Sequence, residues 1–381
     1  MPQYTDSEAA QIGITIMFTI IVVTNLLGNT AVCLVIILNR DMRSPMNVLL
    51  LNLAVADMMV ALFIAPRFIL IHLFKHPDGL AGKVFCELLT GGNLAWYGGI
   101  TSVFTLVVIA FERYYAVMYP YGNRGKLTYR KLKVSFISIA MSTSSAMVII
   151  PVLWISAAIL VSPLFLTISF DQKTNFCVEY WPKEWLPKAY STTCFFFLGF
   201  IPVSVMTVLY SRVVYSLWFK REENEMESTR QVQLLGHACK QPISLSPPGV
   251  MKVRKRVTKM VLSVSVIYGL CWMPNQFIYV FNYFIPSQNY GNVIYIVSIV
   301  LVSCNSTVNP FIYVFVNQRF RRKVKSLICC GTPCSNRVDV SRDSTTHTTD
   351  RTNTTNQPTL EEEDCSGVTK QEANPLSLVS M

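Results

Sequence analysis

Ionisable and amide side chains stand inside long apolar stretches of this 381-residue chain, where water cannot solvate them. The carboxylate is Asp57 in the second stretch, and the amides are Asn29 in the first and Asn305 and Asn309 in the seventh. A charge at the centre of a membrane helix costs about 2.5–3.5 kcal/mol on insertion scales, so this carboxylate needs a proton, a cation or several donors. The amides have a simpler use, because amides often form hydrogen bonds between packed helices. The residues alone leave these three possibilities open for Asp57.

A second chemical feature is an arginine at the end of the third apolar stretch, in Glu112-Arg113-Tyr114. Its guanidinium can pair with Glu112, contact lipid phosphates, or reach a partner that docks from the cytosol, and the residues alone leave these uses open. Prolines lie within three further stretches, at Pro202, Pro274 and Pro310. Each frees a backbone carbonyl and kinks its helix, which predicts a local hinge.

Seven apolar stretches must position these side chains, and each can cross a bilayer core of about 30 Å, which needs roughly 20 residues. They run over 12–38, 46–73, 88–118, 134–163, 189–217, 256–284 and 292–316. Apolar residues make up 51% of the chain and charged residues only 14%, so a polar-surfaced cytosolic enzyme is excluded. The predicted fold is an all-α membrane protein with a bundle of seven transmembrane helices.

The distribution of positive charge predicts the orientation in the membrane. The segments 39–45, 119–133, 219–259 and 317–325 hold 21 Lys and Arg residues, whereas 1–11, 75–85, 164–188 and 284–291 hold five. Because positive loops stay in the cytosol, the N-terminus is predicted to lie outside and the C-terminus inside a plasma membrane. The net charge of +11 is thus mainly a topology signal and does not indicate a nucleic-acid partner.

The eleven cysteines agree with this orientation. Only Cys86 and Cys177 lie in the predicted outer segments, so the oxidising side offers a single pairing. A disulfide between them would tie the second outer loop to the top of the third helix.

The chain divides into a short extracellular N-terminus at 1–11, a transmembrane domain at 12–317, an amphipathic helix at 318–330 and a disordered cytosolic tail at 331–381. The fourth stretch is unusually long, because a helix from Lys133 to Pro163 would measure about 46 Å. We hypothesise that Ser135–Val148, which carries no charge and no motif, is an insertion that contributes nothing to function. The alternative is a long helix that protrudes or kinks.

Motifs in all seven stretches together resemble those of the rhodopsin-like (class A) G-protein-coupled receptors, and neuropeptide receptors among them most of all. They are Gly28-Asn29, Leu53-Ala54-Val55-Ala56-Asp57, Glu112-Arg113-Tyr114, Trp154, Pro202 with Tyr210, Cys271-Trp272-Met273-Pro274 and Asn309-Pro310-Phe311-Ile312-Tyr313. They occur in order over residues 12–330. The resemblance implies a receptor, not an enzyme, that binds an extracellular agonist and activates a heterotrimeric G protein.

The resemblance also implies roles for individual residues. No cofactor is implied. A sodium ion would bind as an allosteric ligand in a shell of Asp57, Ser102, Trp272, Asn305 and Asn309. Coupling to the G protein and the activating rearrangement would involve Glu112, Arg113, Tyr114, Tyr210, Pro274, Pro310 and Tyr313. Cys329 and Cys330 resemble a palmitoylation site, and the Ser/Thr-rich tail resembles a substrate of a receptor kinase that arrestin then recognises.

Two departures from the family pattern carry structural expectations. Arg254 stands where some members carry an acid that locks the inner arginine, so that lock cannot form here. Cys86 precedes Arg113 by two residues more than usual, and we expect a bulge at Gly91-Gly92 to absorb them.

The agonist is constrained by what the pocket lacks. The seventh stretch has no Lys for a retinal Schiff base, and Ala95 replaces the Asp that amine receptors need. The predicted ligand-binding residues are Arg67, Ala95, Trp96, Glu179, Gln276, Tyr279 and Tyr283. A short neuropeptide is favoured, a small lipid-like or indole ligand is the alternative, and a membrane transporter fits less well because no internal symmetry is visible.

Overall fold

The computed structural model describes residues 7–70, 76–77, 79–118, 143–171, 176–219, 248–285 and 292–328. Within these residues, seven helices are long and apolar enough to cross a membrane. Five of them are continuous: α1 is Glu8–Leu38, α2 is Pro45–Phe68, α4 is Thr143–Thr167, α6 is Pro248–Phe284 and α7 is Asn292–Val316. The predicted seven-helix membrane fold is confirmed.

The other two spanning helices contain π-helical turns. Helix α3 consists of Gly79–Phe85, a π-helical turn at Cys86–Thr90 and Asn93–Met118. Helix α5 consists of Trp185–Phe195, a π-helical turn at Phe196–Phe200, Ile201–Val214 and a final π-helical turn at Tyr215–Phe219. Each π-helical turn accommodates residues beyond the regular α-helical repeat.

Several predicted helix limits were wrong because polar residues at helix ends give no apolar signal. Helix α1 begins at Glu8 rather than at 12, since the Ser7 hydroxyl caps it by accepting a hydrogen bond from the Ala10 N–H at 3.4 Å. Helix α6 begins at Pro248 rather than at 256, and α5 begins at Trp185 rather than at 189. These helices therefore begin before the apolar stretches that predicted them.

The expected bulge in α3 is present, but the helix also extends beyond its predicted start at 88. The π-helical turn ends where the Gly91 N–H donates to the Cys86 carbonyl at 2.8 Å. Gly92 follows with a φ of 84°, a backbone conformation that favours glycine. The extra residues between Cys86 and the rest of α3 are therefore absorbed locally.

A two-stranded hairpin, which the sequence did not predict, follows α4. Strand β1 (Ile168–Asp171) pairs antiparallel with β2 (Phe176–Glu179), and Phe170 lies opposite Cys177. A disulfide joins Cys177 to Cys86 with a Cα–Cα distance of 5.7 Å, which confirms the predicted pairing. We call this end of the bundle the hairpin end.

Helix α8 (Gln318–Ile328) follows α7 at the opposite end, which we call the basic end. Asn317 begins it, because its side-chain oxygen accepts a hydrogen bond from the Arg319 N–H at 3.1 Å. Phe320 is buried, and its ring centroid lies 6.0 Å from that of Tyr313. The helix also carries five Lys and Arg residues. The predicted amphipathic helix is confirmed to Ile328, and Cys329, Cys330 and the tail lie outside the described residues.

A polar side chain of a neighbouring helix bonds the backbone carbonyl that Pro310 leaves without a donor. Pro310 has no N–H to bond the Ser306 carbonyl, and the Asn29 side chain of α1 donates to that oxygen at 3.2 Å. Gly28 permits the close approach, because a Cβ there would lie 3.0 Å from the Pro310 ring. Asn29 therefore acts as an interhelical hydrogen-bond donor, as predicted for the amides.

The hypothesis that Ser135–Val148 is an insertion lies partly outside the described residues. The portion from Thr143 to Val148 forms the first turns of α4, and the helix continues past Pro163 to Thr167. Without the 14 residues, Ile149–Thr167 would still form a helix of about 28 Å, close to the thickness of a hydrocarbon core.

Deleting Ser135–Val148 should therefore leave agonist signalling intact or increase surface expression. Flow cytometry with an N-terminal epitope and a G-protein reporter would measure both properties on the same cells. A deletion variant that reaches the surface but no longer signals would show that these residues have a function.

Candidate functional site

A fully buried carboxylate lies at the centre of the bundle. Asp57 of α2 has no exposed surface, and it accepts hydrogen bonds from the Ser102 hydroxyl of α3 at 2.9 Å and the Asn309 amide of α7 at 2.7 Å. The Ser306 hydroxyl of α7 is a third nearby donor, so the donors come from two other helices. Three donors still leave a lone pair of the carboxylate available to a cation.

Two other predicted shell residues are buried but do not bond to Asp57. Asn305 has neither side-chain polar atom in a hydrogen bond to a described residue, and the Trp272 indole N–H also has none. The Asn309 side-chain oxygen is likewise without a described partner. Buried polar atoms normally find partners in protein, water or ions. The oxygens of Asp57, Ser102, Asn305 and Asn309 are hard ligands of the kind that suits a sodium ion.

At the basic end, three of the residues predicted to take part in activation, Arg113, Tyr210 and Tyr313, make no hydrogen bond to one another. The Arg113 guanidinium pairs with Glu112 through two hydrogen bonds within the same helix. Tyr210 and Tyr313 are buried; the Tyr210 hydroxyl lies within reach of the Ser265 hydroxyl, and the Tyr313 hydroxyl bonds to no described residue. Of the alternatives for Arg113, the structure shows the ion pair with Glu112.

Position 254 carries an arginine, and the basic ends of α5 and α6 contact each other through cation–π pairs. The ammonium groups of Lys255 and Lys259 lie 5.1 and 5.9 Å from the ring centroid of Trp218. A cation over an indole face is attracted by the ring quadrupole, by about 0.5–1 kcal/mol at exposed sites. Among the described residues, no ion pair connects α3 with α6, as expected from Arg254.

Two adjoining cavities open between the helices at the hairpin end. They contain about 400 and 470 Å³, including space open to the surroundings, and share Trp96 and Tyr295 as lining residues. Arg67, Ala95 and Trp272 line the first, whereas Glu179, Gln276 and Tyr279 line the second. The structure therefore brings six of the seven predicted ligand-binding residues to these walls.

Glu179, at the end of β2, is the acidic group of the second cavity. Its carboxylate accepts hydrogen bonds from the Trp181 indole at 2.9 Å, the Tyr283 hydroxyl at 2.6 Å and the Tyr279 hydroxyl at 3.3 Å. Tyr283, the seventh predicted residue, thus contacts the cavity through Glu179. An anion surrounded by aromatic rings is a suitable partner for a cationic group.

Arg67, on α2, is held against the break in α3. Its guanidinium donates to the Gly91 carbonyl and lies 5.8 Å from the centroid of the Phe68 ring. Gly92 makes room for it, because a Cβ at Gly92 would lie 3.3 Å from an Arg67 nitrogen. The bulge in α3 therefore positions a cationic side chain at the first cavity.

The sequence missed Tyr190 and Tyr295 as lining residues. Tyr190 lies on the same face of α5 as Cys194 and Leu198, at spacings of four and eight, and all three line the second cavity. Tyr295 lies one turn from the start of α7 and belongs to both cavities. Helical spacing from known lining residues was the signal available for Tyr190.

Known proteins match the chain over most of its length. The family model described as 7 transmembrane receptor (rhodopsin family) matches residues 28–313. The chain is 31% identical to Neuropeptide FF receptor 2 of Mus musculus over 80% of its own length and 69% of that receptor. It is 24% identical to the Pyroglutamylated RF-amide peptide receptor of Rattus norvegicus, covering 84% of the chain and 70% of that receptor.

Neuropeptide Y receptor type 6 of Mus musculus is 25% identical over 87% of the chain and 85% of that receptor. These matches, the seven helices and the motifs at their predicted positions agree with one another. The chain belongs to the rhodopsin family of seven-transmembrane receptors, which are not enzymes.

Proposed function

We propose that this receptor binds a short extracellular neuropeptide at the hairpin end and activates a heterotrimeric G protein at the basic end. The observation that carries the peptide assignment is the similarity to peptide receptors over most of the chain. The two cavities below the hairpin supply aromatic walls with one cationic and one acidic side chain, Arg67 and Glu179. The charge distribution supports a plasma-membrane topology with the hairpin end outside.

The chemistry of Glu179 supports a cationic group in the peptide. Two of the relatives are named for peptides called neuropeptide FF and RF-amide peptides, and RF denotes arginine and phenylalanine in one-letter code. An arginine side chain would pair with Glu179 in charge-assisted hydrogen bonds. The aromatic rings around the carboxylate would cover the guanidinium.

The pairing of Arg113 with Glu112 supports an inactive conformation. Activation would release Arg113 from Glu112 and bring it together with the buried hydroxyls of Tyr210 and Tyr313. The opened surface would then admit the G protein. Receptor kinase and arrestin acting on the tail, and palmitoylation at Cys329 and Cys330, belong to the same proposal.

Agonist-dependent nucleotide exchange on a purified G protein tests this assignment. We would apply a panel of synthetic peptides ending in Arg-Phe-amide to the receptor and compare it with a panel of lipid and indole compounds. Exchange stimulated by a peptide supports the assignment, and exchange stimulated only by a lipid or an indole would replace the peptide with that ligand. If the receptor stimulates no nucleotide exchange with either panel, and none in the absence of ligand, the proposed G-protein function is wrong.

A sodium ion at Asp57 belongs to the proposed inactive state, and its effect is testable. Because the ion would stabilise inactive packing, sodium should lower agonist affinity by linkage. Asp57→Asn should remove this sensitivity without unfolding the chain, since the amide keeps the shape and loses the charge. Agonist binding would be measured in sodium chloride and in choline chloride at equal ionic strength.

Asp41→Asn provides the control for the sodium experiment, because Asp41 is an acid at the basic end that pairs with Lys323 far from the cluster. This variant should respond to sodium as the unmodified receptor does. If the unmodified receptor binds agonist equally in both salts, the sodium site is wrong.

A further inference from the structure

A groove opens sideways between α5 and α6, on the half of the bundle nearer the basic end. It contains about 1290 Å³, including space open to the surroundings, and thirteen side chains from these two helices line it. Gly269 keeps its middle wide, because the nearest atom to a Cβ added there would be a Val203 methyl at 3.7 Å. The groove lies within the spanning segments, so an occupant must come from the bilayer.

Two of the four hydroxyl-bearing side chains that line this groove are buried. The side chains of Tyr210 and Ser265 are 2% and 8% exposed, and both belong to its wall. The two hydroxyls lie within hydrogen-bonding reach of each other, and neither bonds to a third described residue. A pair of hydroxyls that bond each other keeps one hydrogen to donate, so this wall favours an occupant that carries a hydrogen-bond acceptor.

Two ammonium groups stand at the inner mouth of the groove. Lys259 lies three residues before Leu262 of the groove wall, and Lys255 lies one further turn away, so both share the groove face of α6. Trp218 continues the groove face of α5 and lies beneath both ammonium groups. The mouth therefore has the charge that complements an anionic head group.

The order of these features along the groove is a cationic mouth, then two hydroxyls, then an apolar channel. From Lys259 to Ser265 the helix rises about 9 Å, a distance that the glycerol phosphate of a lipid can bridge. Beyond Ser265 the walls are apolar, with Met206, Leu270 and Met273. The cytoplasmic leaflet is rich in anionic lipids, and the proposed topology places the mouth at that leaflet.

We propose that this groove binds one anionic glycerophospholipid of the cytoplasmic leaflet. Its phosphate contacts Lys255 and Lys259, an ester carbonyl accepts a hydrogen bond from the Tyr210–Ser265 pair, and an acyl chain fills the channel beside Gly269. Tyr210 also belongs to the proposed activating rearrangement, but lipid binding can be detected without an agonist or a G protein.

The test is lipid binding by the purified full chain in nanodiscs of phosphatidylcholine with a minor fraction of photoreactive phosphatidylserine. Crosslinked peptides, identified by mass spectrometry, should come from the α5 and α6 faces of the groove. The double variant Lys255→Gln, Lys259→Gln should lower crosslinking at least tenfold, and Ser265→Ala should lower it several-fold. Gly269→Leu should block the channel while leaving both charges in place.

Arg212→Gln is the matched control. The substitution removes one positive charge from the same end of α5. Arg212 is exposed and lies nine positions after Val203, on the opposite face of the helix. It should leave crosslinking unchanged, and thermal unfolding would verify that each variant is folded.

Three results would overturn the proposal. They are equal crosslinking of a photoreactive phosphatidylcholine, loss of the signal on competition by cholesterol but not by phosphatidylserine, and an unchanged signal in the double Lys variant. None of them bears on agonist-dependent nucleotide exchange, so failure here is distinct from failure of the receptor assignment.

Discussion

Replacing either Cys86 or Cys177 with Ser is expected to abolish the response to agonist or delivery to the cell surface. The disulfide spans a sequence separation of 91 residues, and in the chain-entropy model a loop of that size contributes about 4–5 kcal/mol. It also holds β2, and therefore Glu179, against the top of α3. A loss of this size is comparable to the stability of many single domains.

The double variant should be no worse than either single one, because the described outer residues provide no other disulfide partner. Cys304→Ser is the control, since Cys304 is a half-buried free cysteine of α7. Surface labelling and a G-protein reporter would be measured for all four variants. Clearly additive losses in the double variant would show that the two sulfurs act independently.

The spanning helices and this disulfide could be predicted because each depends on a strong, local property of the sequence. A run of about 20 apolar residues has few structural solutions other than a membrane helix. The cysteine pair followed from sorting the cysteines by compartment. In both cases the prediction required no knowledge of how helices pack against one another.

The hairpin and the contacts of Glu179 depend on packing that the sequence does not display. Strands β1 and β2 have only four residues each, too few for an alternating pattern to stand out. The hydroxyls that bond Glu179 come from Tyr279 and Tyr283, separated from it by 100 and 104 positions. Glu179 could be proposed as an acidic residue near the pocket, but its aromatic partners had to come from the structure.

The shell around Asp57 was predicted only in part for the same reason. Ser102 and Asn309 bond the carboxylate directly, as the resemblance implied. Asn305 and Trp272 were expected in the same shell, yet they make no described hydrogen bond. Their placement depends on rotamers in a packed core, and a motif specifies the residue type without the rotamer.

Glu179→Gln is expected to lower agonist potency for an arginine-containing peptide by about 10- to 100-fold. A hydrogen bond to a charged group contributes about 1.5–3 kcal/mol, and each 1.4 kcal/mol corresponds to a factor of ten in affinity. The Gln side chain keeps an oxygen for Tyr283 and loses the charge that would attract a guanidinium. Peptide potency in nucleotide exchange would give the magnitude.

Because Glu179 also holds Trp181, Tyr279 and Tyr283, a purely structural role must be separated from binding. A peptide in which citrulline replaces arginine keeps the shape and removes the positive charge, so it completes a double-mutant cycle with Glu179→Gln. If the carboxylate binds the guanidinium, the variant should weaken the arginine peptide much more than the citrulline peptide. Glu184→Gln, an exposed acid in the same loop, should weaken neither. Equal losses for both peptides would instead show that Glu179 maintains the shape of the cavity and does not contact the peptide's charge.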